Sequence, residues 1–327
     1  MSKMITEKDA LPLIPVQTLN EIIDGIAEQS VVLSQFSRLP NMSSRTTEMA
    51  VLDSLVDAQF VGTTVDDDLT YGEDSDASFT AEDGVPGLKP TGDAKWAKKK
   101  IIAEPIAIVL PISEEVLADA DYDIWGELRP RIVEAFGKRI DEAVIWGKGR
   151  PASWETGIVP TAIARQNVIA EGTGTDFGVD VSNLMGLIEE QGFDPTGFIA
   201  EVGTKAKLRN LRAGNGTPLF SNGTMTDPDT LYGHPIHYAK NAAFNKTVAR
   251  LIVGDMKEAK YSIRQDITFK LFTEGVVTND YGEIVANLMQ NDMVALRVVM
   301  RLGWVLPNPI HQLNPSREGY PFAVMTK

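Results

Sequence analysis

His234 and His237 stand three residues apart, a spacing that on a helix would set two imidazoles side by side for a metal ion. Gly233 and Pro235 bracket the first of them and predict a turn entering a strand, so the pair reads as structural. His311, the remaining histidine, sits among prolines and reads the same way. Asp66-Asp67-Asp68 offers hard oxygen ligands but lacks the spacing of an EF-hand loop, and is predicted to be a solvated acidic tip. Glu114/Glu115 and Glu189/Glu190 are consecutive carboxylates, which on a helix do not face one another and make poor acid/base pairs. No Gly-x-Ser-x-Gly elbow and no Gly-x-Gly-x-x-Gly run occurs. Gly147-Lys148 lacks the upstream glycine and the following Ser/Thr of a phosphate loop. Gly172-Thr173-Gly174 and Gly214-Asn215-Gly216 are turns by composition. The sequence therefore predicts no catalytic residue, no metal site and no cofactor.

Composition narrows the field further. The 327 residues exceed one typical core, which favours two subdomains. Cysteine is absent, which excludes disulfides, thiolate metal sites and cysteine nucleophiles and suits a reducing cytosol. No run of eighteen apolar residues points to a membrane partner, and no basic head with an apolar block marks a secretory signal. The formal charge of −14 repels phosphate backbones, and no Lys/Arg-rich tail offsets it. Lys95, Lys98, Lys99 and Lys100 form the strongest basic cluster. They read as a solvated strand face or as a charge-complementary patch between subunits.

That cluster borders the segment hardest to fold on itself. Residues 62–93 hold nine acids, Asp66 to Asp68 among them, against the single base Lys89. Gly62, Gly72, Gly84, Gly87, Pro86 and Pro90 interrupt them. Strands are predicted on both sides, over 54–61 and from Ala94 through Leu110, giving a long two-stranded arm with an acidic tip. An isolated ribbon is marginal in water, so such an arm predicts a second molecule to lie on.

Elsewhere the periodicity is mixed. Pro12 and Pro15 favour an extended, strand-like arm, with a short helix over 18–26 starting from Pro15 as the alternative, and Ser113-Glu114-Glu115 fits a helix start. The longest helix is predicted from Asp123 to Gly147. Leu128, Ile132, Phe136, Ile140 and Val144 recur at four-residue steps, and Arg131, Glu134, Lys138, Arg139, Asp141 and Glu142 mark the wet face. Pro130 stands seven residues inside that pattern and predicts a bend. Short helices are expected near 181–191 and 204–211. Strands are expected at 168–170, 197–200, 235–238, 249–253, 267–272 and 294–300, and turns at 214–218 and 223–228. Strands and helices without regular alternation give an α+β class.

The order of parts resembles the major capsid proteins of tailed bacteriophages, the HK97-fold family. The stretches that carry the likeness are 111–117 (PISEEVL), 141–147 (DEAVIWG), 231–236 (LYGHPI), 253–256 (VGDM) and 290–297 (QNDMVALR) followed by Arg301. Together they run through nearly the whole chain, from about residue 14 to 312. Each motif is weak alone; five in order are fairly specific. The resemblance implies an N-terminal arm over 1–55 and an extended β-hairpin loop over 56–105 lying on a neighbouring subunit. It implies a peripheral domain from 106–177 and 262–304 around a spine helix at 123–147, and an axial domain from 178–261 and 305–327.

It further implies a structural protein that self-assembles into hexamers and pentamers of an icosahedral shell around double-stranded DNA, without sequence-specific binding. Its place would be the virion capsid, assembled in the host cytoplasm. Asp66, Asp67, Asp68, Lys95, Lys98, Lys99 and Lys100 would be loop contacts, and Pro130 a bend in the spine helix. Because the sequence begins almost at the arm, a separate scaffolding protein is expected, with a portal protein and a place for a decoration protein. Some family members join a loop lysine to a neighbour's asparagine. Here Lys89, Lys95 and Lys98, or Asn287, Asn291 and Asn308, are singled out by no motif. An encapsulin-like compartment shares the fold, and a soluble enzyme or binding protein with an unrecognised site is the reading of another class.

Overall fold

The computed structural model describes residues 30–55, 94–119, 124–211, 230–279, 281–315 and 318–327. The helix expected at 18–26, the acidic stretch with Asp66, Asp67 and Asp68, and the turns at 214–218 and 223–228 lie outside the described residues. The first half comprises α1 (Val31–Gln35), β1 (Ser37–Arg38), β2 (Thr46–Leu52), β3 (Trp96–Ile102), β4 (Glu104–Ser113), α2 (Glu114–Asp119), α3 (Ile124–Trp146) and α4 (Ile158–Ala164). There follow β5 (Val168–Ala170), α5 (Phe177–Glu189), β6 (Gly197–Glu201), α6 (Thr204–Asn210), β7 (Thr230–Leu231), β8 (His234–Ala239) and β9 (Ala249–Gly254). The last are β10 (Lys260–Phe272), β11 (Val276–Thr278), β12 (Ile284–Asn287), β13 (Met293–Val305) and β14 (Phe322–Thr326). The class is α+β.

The apolar stripe of α3 does what its spacing dictates. Ile132, Phe136, Ile140 and Val144 are buried, while Arg131–Glu134 (3.5 Å) and Arg139–Glu142 (3.7 Å) pair on the outer side. Gly147 ends the helix with φ 67°, and the N–H groups of Gly147 and Lys148 return to the carbonyls of Ala143 and Glu142. The helix runs uninterrupted through Pro130, which is exposed.

Two sheets flank this helix. A four-stranded sheet has the order β1-β10-β13-β4, with β10 and β13 antiparallel and β4 antiparallel to β13. At about 3.3 Å per residue its two 13-residue strands each span about 40 Å. Leu296, Val298, Met300, Leu302 and Trp304 alternate onto the face that packs with α3. A six-stranded sheet has the order β5-β14-β9-β6-β8-β7 and separates two cores. Ile199, Ile252, Phe322 and Val324 point to the α3 side. Phe198, Leu251, Val253, Ala323 and Met325 point to the other, beneath α5 and α6. β5 joins this sheet through β14, so residues 168–170 share it with strands from 197 onward.

The ribbon differs from expectation. Its first described strand is β2; of the strand expected over 54–61, Ser54 and Leu55 are not strand, and 56–61 lie outside the described residues. The second strand is not continuous to Leu110. It breaks at buried Ala103, whose N–H donates to the carbonyl of Arg45, so β3 pairs with β2 and β4 pairs with β13. Both β10 and β13 are longer than the apolar runs that announced them. The helix α4 and the strands β11, β12 and β14 had not been expected. Pro160 masked α4, although a proline in the first turn removes no hydrogen bond a helix would make.

Candidate assembly surfaces

The ribbon has an inner and an outer face, as period two requires. On the inner side Ile101 and Met49 pack with Met42, Ala103 and Val305. Gly303 of β13 permits this approach: a Cβ there would lie 2.7 Å from the carbonyl oxygen of Ile102. Trp154 Nε1 donates to the same carbonyl at 3.0 Å. Glu104 accepts from Arg45 (2.8 Å) and Ser153 (2.7 Å), which hold its carboxyl below the usual range. The ribbon base is thus fixed to the body by an apolar plug and a polar rim.

The four lysines are placed by the same alternation. Lys99 turns inward, where its ammonium meets Glu155 at 2.9 Å and donates to the carbonyl of Leu306. Lys98 faces outward and pairs with Glu48 across the ribbon at 2.9 Å, which holds the Glu48 carboxyl below its usual range. Lys100 and Lys95 are exposed. Lys95 stands at the end of the described ribbon away from the body, its N–H donating to Ser54 Oγ at 2.7 Å. Trp96 on the outer face is 67% exposed. The structure therefore spreads the basic cluster over two faces rather than gathering it. A cleft of about 630 Å³ separates the ribbon from α4, lined among others by Lys99, Glu155, Arg165, Trp304 and Tyr320.

Asp141 corrects the reading of the spine helix. Placed by sequence on the wet face, it is fully buried and accepts four hydrogen bonds. Ser30 Oγ donates at 2.7 Å, the N–H groups of Val31 and Val32 at 3.1 Å each, and Asn241 Nδ2 at 2.6 Å. Burial pushes its pKa up, and the four donors oppose that shift. The signal was present in the sequence: Val133, Gly137, Asp141 and Ile145 form one row of four-residue steps, and all are buried. Ser30 preceding Val-Val-Leu is the matching helix cap, its Oγ accepting from the N–H of Leu33 at 3.2 Å.

The histidines fall into structural settings. His234 and His237 lie on β8, where a separation of three puts them on opposite faces. His237 Nδ1 lies 3.0 Å from Gln35 Nε2, and burial lowers its pKa. His311 stands edge-on to Phe193. Among the described residues no three His, Asp or Glu side chains converge on a point that would hold a metal ion.

Comparison with known proteins gives these surfaces a context. The sequence matches the family described as "Phage capsid family" over residues 12–310. The major capsid protein of Staphylococcus phage 80alpha is 28% identical over 216 residues, which is 65% of this chain and 63% of that relative's length. Among solved structures, a chain from Microbacterium phage Oxtober96 is 32% identical, with a TM-score of 0.74 over 99% of both chains. A chain from Mycobacterium phage Bobi is 27% identical with a TM-score of 0.73, again over 99% of both. A chain from the capsid of a native GTA particle, at 14% identity and a TM-score of 0.57, shares the fold over 100% of this chain and 99% of that one.

Proposed function

The chain belongs to the phage capsid family and is a structural component of a virion shell rather than an enzyme, and we propose that its copies close as hexamers and pentamers into an icosahedral capsid around double-stranded DNA. One observation supports the way copies join. β2 and β3 pair only with each other among the described residues, yet they carry an exposed tryptophan and lead into the acidic segment 56–93. A two-stranded ribbon is marginal in isolation, and lying on an adjacent subunit supplies the missing support.

In this reading Asp66, Asp67 and Asp68 of one copy meet basic groups of another, and the outward Lys98 and Lys100 of the ribbon serve the same contact network. The bend at Pro130 belongs to the precursor shell. The peripheral domain is built on the four-stranded sheet with α3, and the axial domain on the six-stranded sheet. A net charge of −14 suits a wall past which DNA slides, with no sequence-specific grip. A scaffolding protein supplied separately, a portal and a decoration protein are the further partners, and assembly takes place in the host cytoplasm.

The test is deletion of residues 66–90. A soluble subunit that keeps its fold but forms no stable shells is expected by electron microscopy. Normal particles from that deletion overturn the role of the loop.

A further inference from the structure

The cleft between the ribbon and α4 takes its walls from two parts of the chain. Val51 of β2 with Ala97 and Lys99 of β3 come from the ribbon, and Arg165, Leu306 and Tyr320 from the body. Its volume of about 630 Å³ falls within the range of about 300–1,000 Å³ common for small-molecule sites. Part of the lining is apolar and covered: Val51, Trp304, Leu306 and Pro307 are buried.

The charged groups of the lining are set in place. Lys98, Lys99 and Arg165 stand against the single carboxylate of Glu155, in a chain whose formal charge is −14. Glu155 is pinned by Lys99 at 2.9 Å and by the N–H of Leu306 at 3.2 Å. Arg165 caps the end of α4, and its Nη1 donates to the carbonyls of Glu318 (2.6 Å) and Gly319 (2.9 Å). The guanidinium lies 5.4 Å from the centroid of the Tyr320 ring. Asn308, with φ 47°, donates to the same Gly319 carbonyl at 2.9 Å. A guanidinium held in this way has little rotamer freedom left to lose when an anion docks.

Trp304 is the second sign of a ligand. Its indole N–H is buried, and no acceptor stands within hydrogen-bond reach among the described residues. Buried donors in folded proteins nearly always have a partner. An oxygen atom brought into the cleft supplies one, and the neighbouring cations favour a negative oxygen. The apolar walls favour a hydrocarbon body behind it, which inorganic phosphate lacks.

We infer that this cleft binds a small organic carboxylate, its charged end at Arg165 and Lys99 and its apolar body against Trp304, Leu306 and Val51. Such a ligand touches ribbon and body together and so fixes the angle at which the ribbon leaves. Binding is a property of the single subunit, and it stands or falls apart from the shell reading above.

The test uses the purified full chain with three probes: phenylbutyrate, the neutral phenylbutyramide and inorganic phosphate. Titration calorimetry is expected to show saturable, one-site binding of the carboxylate, with the amide at least tenfold weaker and phosphate weaker still. Hydrogen exchange of the β3 amides should slow severalfold when the carboxylate is bound. Arg165→Gln and Lys99→Gln should each weaken binding tenfold or more, with circular dichroism confirming the fold. Trp304→Phe keeps a flat wall without the N–H and should weaken it severalfold. No binding of the carboxylate at millimolar concentration overturns the inference. So does equal binding of acid and amide, equal binding of phosphate, or affinity that both charge variants leave unchanged. If a variant does not fold, the comparison of acid with amide on the unmodified chain decides.

Discussion

Ser30 Oγ and Asp141 Oδ1 lie 2.7 Å apart across 111 residues of sequence, so the start of α1 is fastened to the middle of the spine helix. The carboxylate also accepts from two backbone N–H groups of α1 and from Asn241, which follows β8. One side chain therefore ties together the segment at residue 30, α3 and the six-stranded sheet.

Replacing Asp141 with alanine leaves four buried donors without an acceptor. An orphaned buried group costs about 1–3 kcal/mol, so a loss of about 3 kcal/mol or more is expected. Ser30→Ala removes one donor and a helix cap, and about 1 kcal/mol is expected. Denaturant unfolding of the isolated subunit measures both. Equal, small losses would show that the network contributes little.

Tyr320 predicts an alkaline response. Burial, with Glu155 adding to it, pushes its phenol well above the ordinary value of about 10. Below that pH both folded and unfolded chains keep the proton. Above it the unfolded chain ionises first, so stability falls as pH rises. Tyr320→Phe lacks this titration and loses the phenol's 3.3 Å hydrogen bond to the carbonyl of Ile158, costing about 1 kcal/mol. Unfolding midpoints of the two proteins should converge as pH climbs past 10. A constant gap would contradict the assignment.

Gly303 tests the seat of the ribbon. A methyl group there meets the backbone of Ile102, which cannot rotate away. Gly303→Ala is expected to cost about 1–3 kcal/mol as an overpacked contact. It should lift β3 from β13 and reduce shell yield more than it lowers the thermal midpoint of the subunit. Sedimentation of assembly reactions and calorimetry of the subunit give the two readouts.

Pro130 lies on the exposed side of α3, beyond the first turn. Pro130→Ala restores a helical N–H and is expected to stabilise the subunit by about 1–3 kcal/mol. It should also yield precursor shells that expand prematurely. Cryo-electron microscopy of native precursor and expanded shells checks the premise: the helix axis on either side of Pro130 must change between them.

The parts legible in sequence were those with strong periodicity. The α3 stripe, the boundaries of β5, β6, β8 and β9, and the helix start after Ser113 all carry local signals that tertiary packing then used. Other features escaped, among them three with a clear physical cause. The β2 strand, Thr46 to Leu52, opens on Thr-Thr-Glu and has only Val51 fully buried, so its four apolar residues, Met49 to Leu52, were too short a run to announce it. Asp141 was assigned by charge, whereas its row on the helix and the distant Ser30 decide its burial. The β11–β12 hairpin puts its apolar side outward, opposite to the rule by which core strands are recognised.

The placement of β14 bears on how the subunit is made. It lies between β5 and β9, with Phe322 to Met325 wholly inaccessible, and it is translated after every strand it touches. While the ribosome is still short of residue 326, the six-stranded sheet has a gap at this position and both cores are incomplete. A nascent polypeptide thus lacks the finished body on which neighbours would dock, and polymerisation on polysomes is held back until synthesis has passed this point.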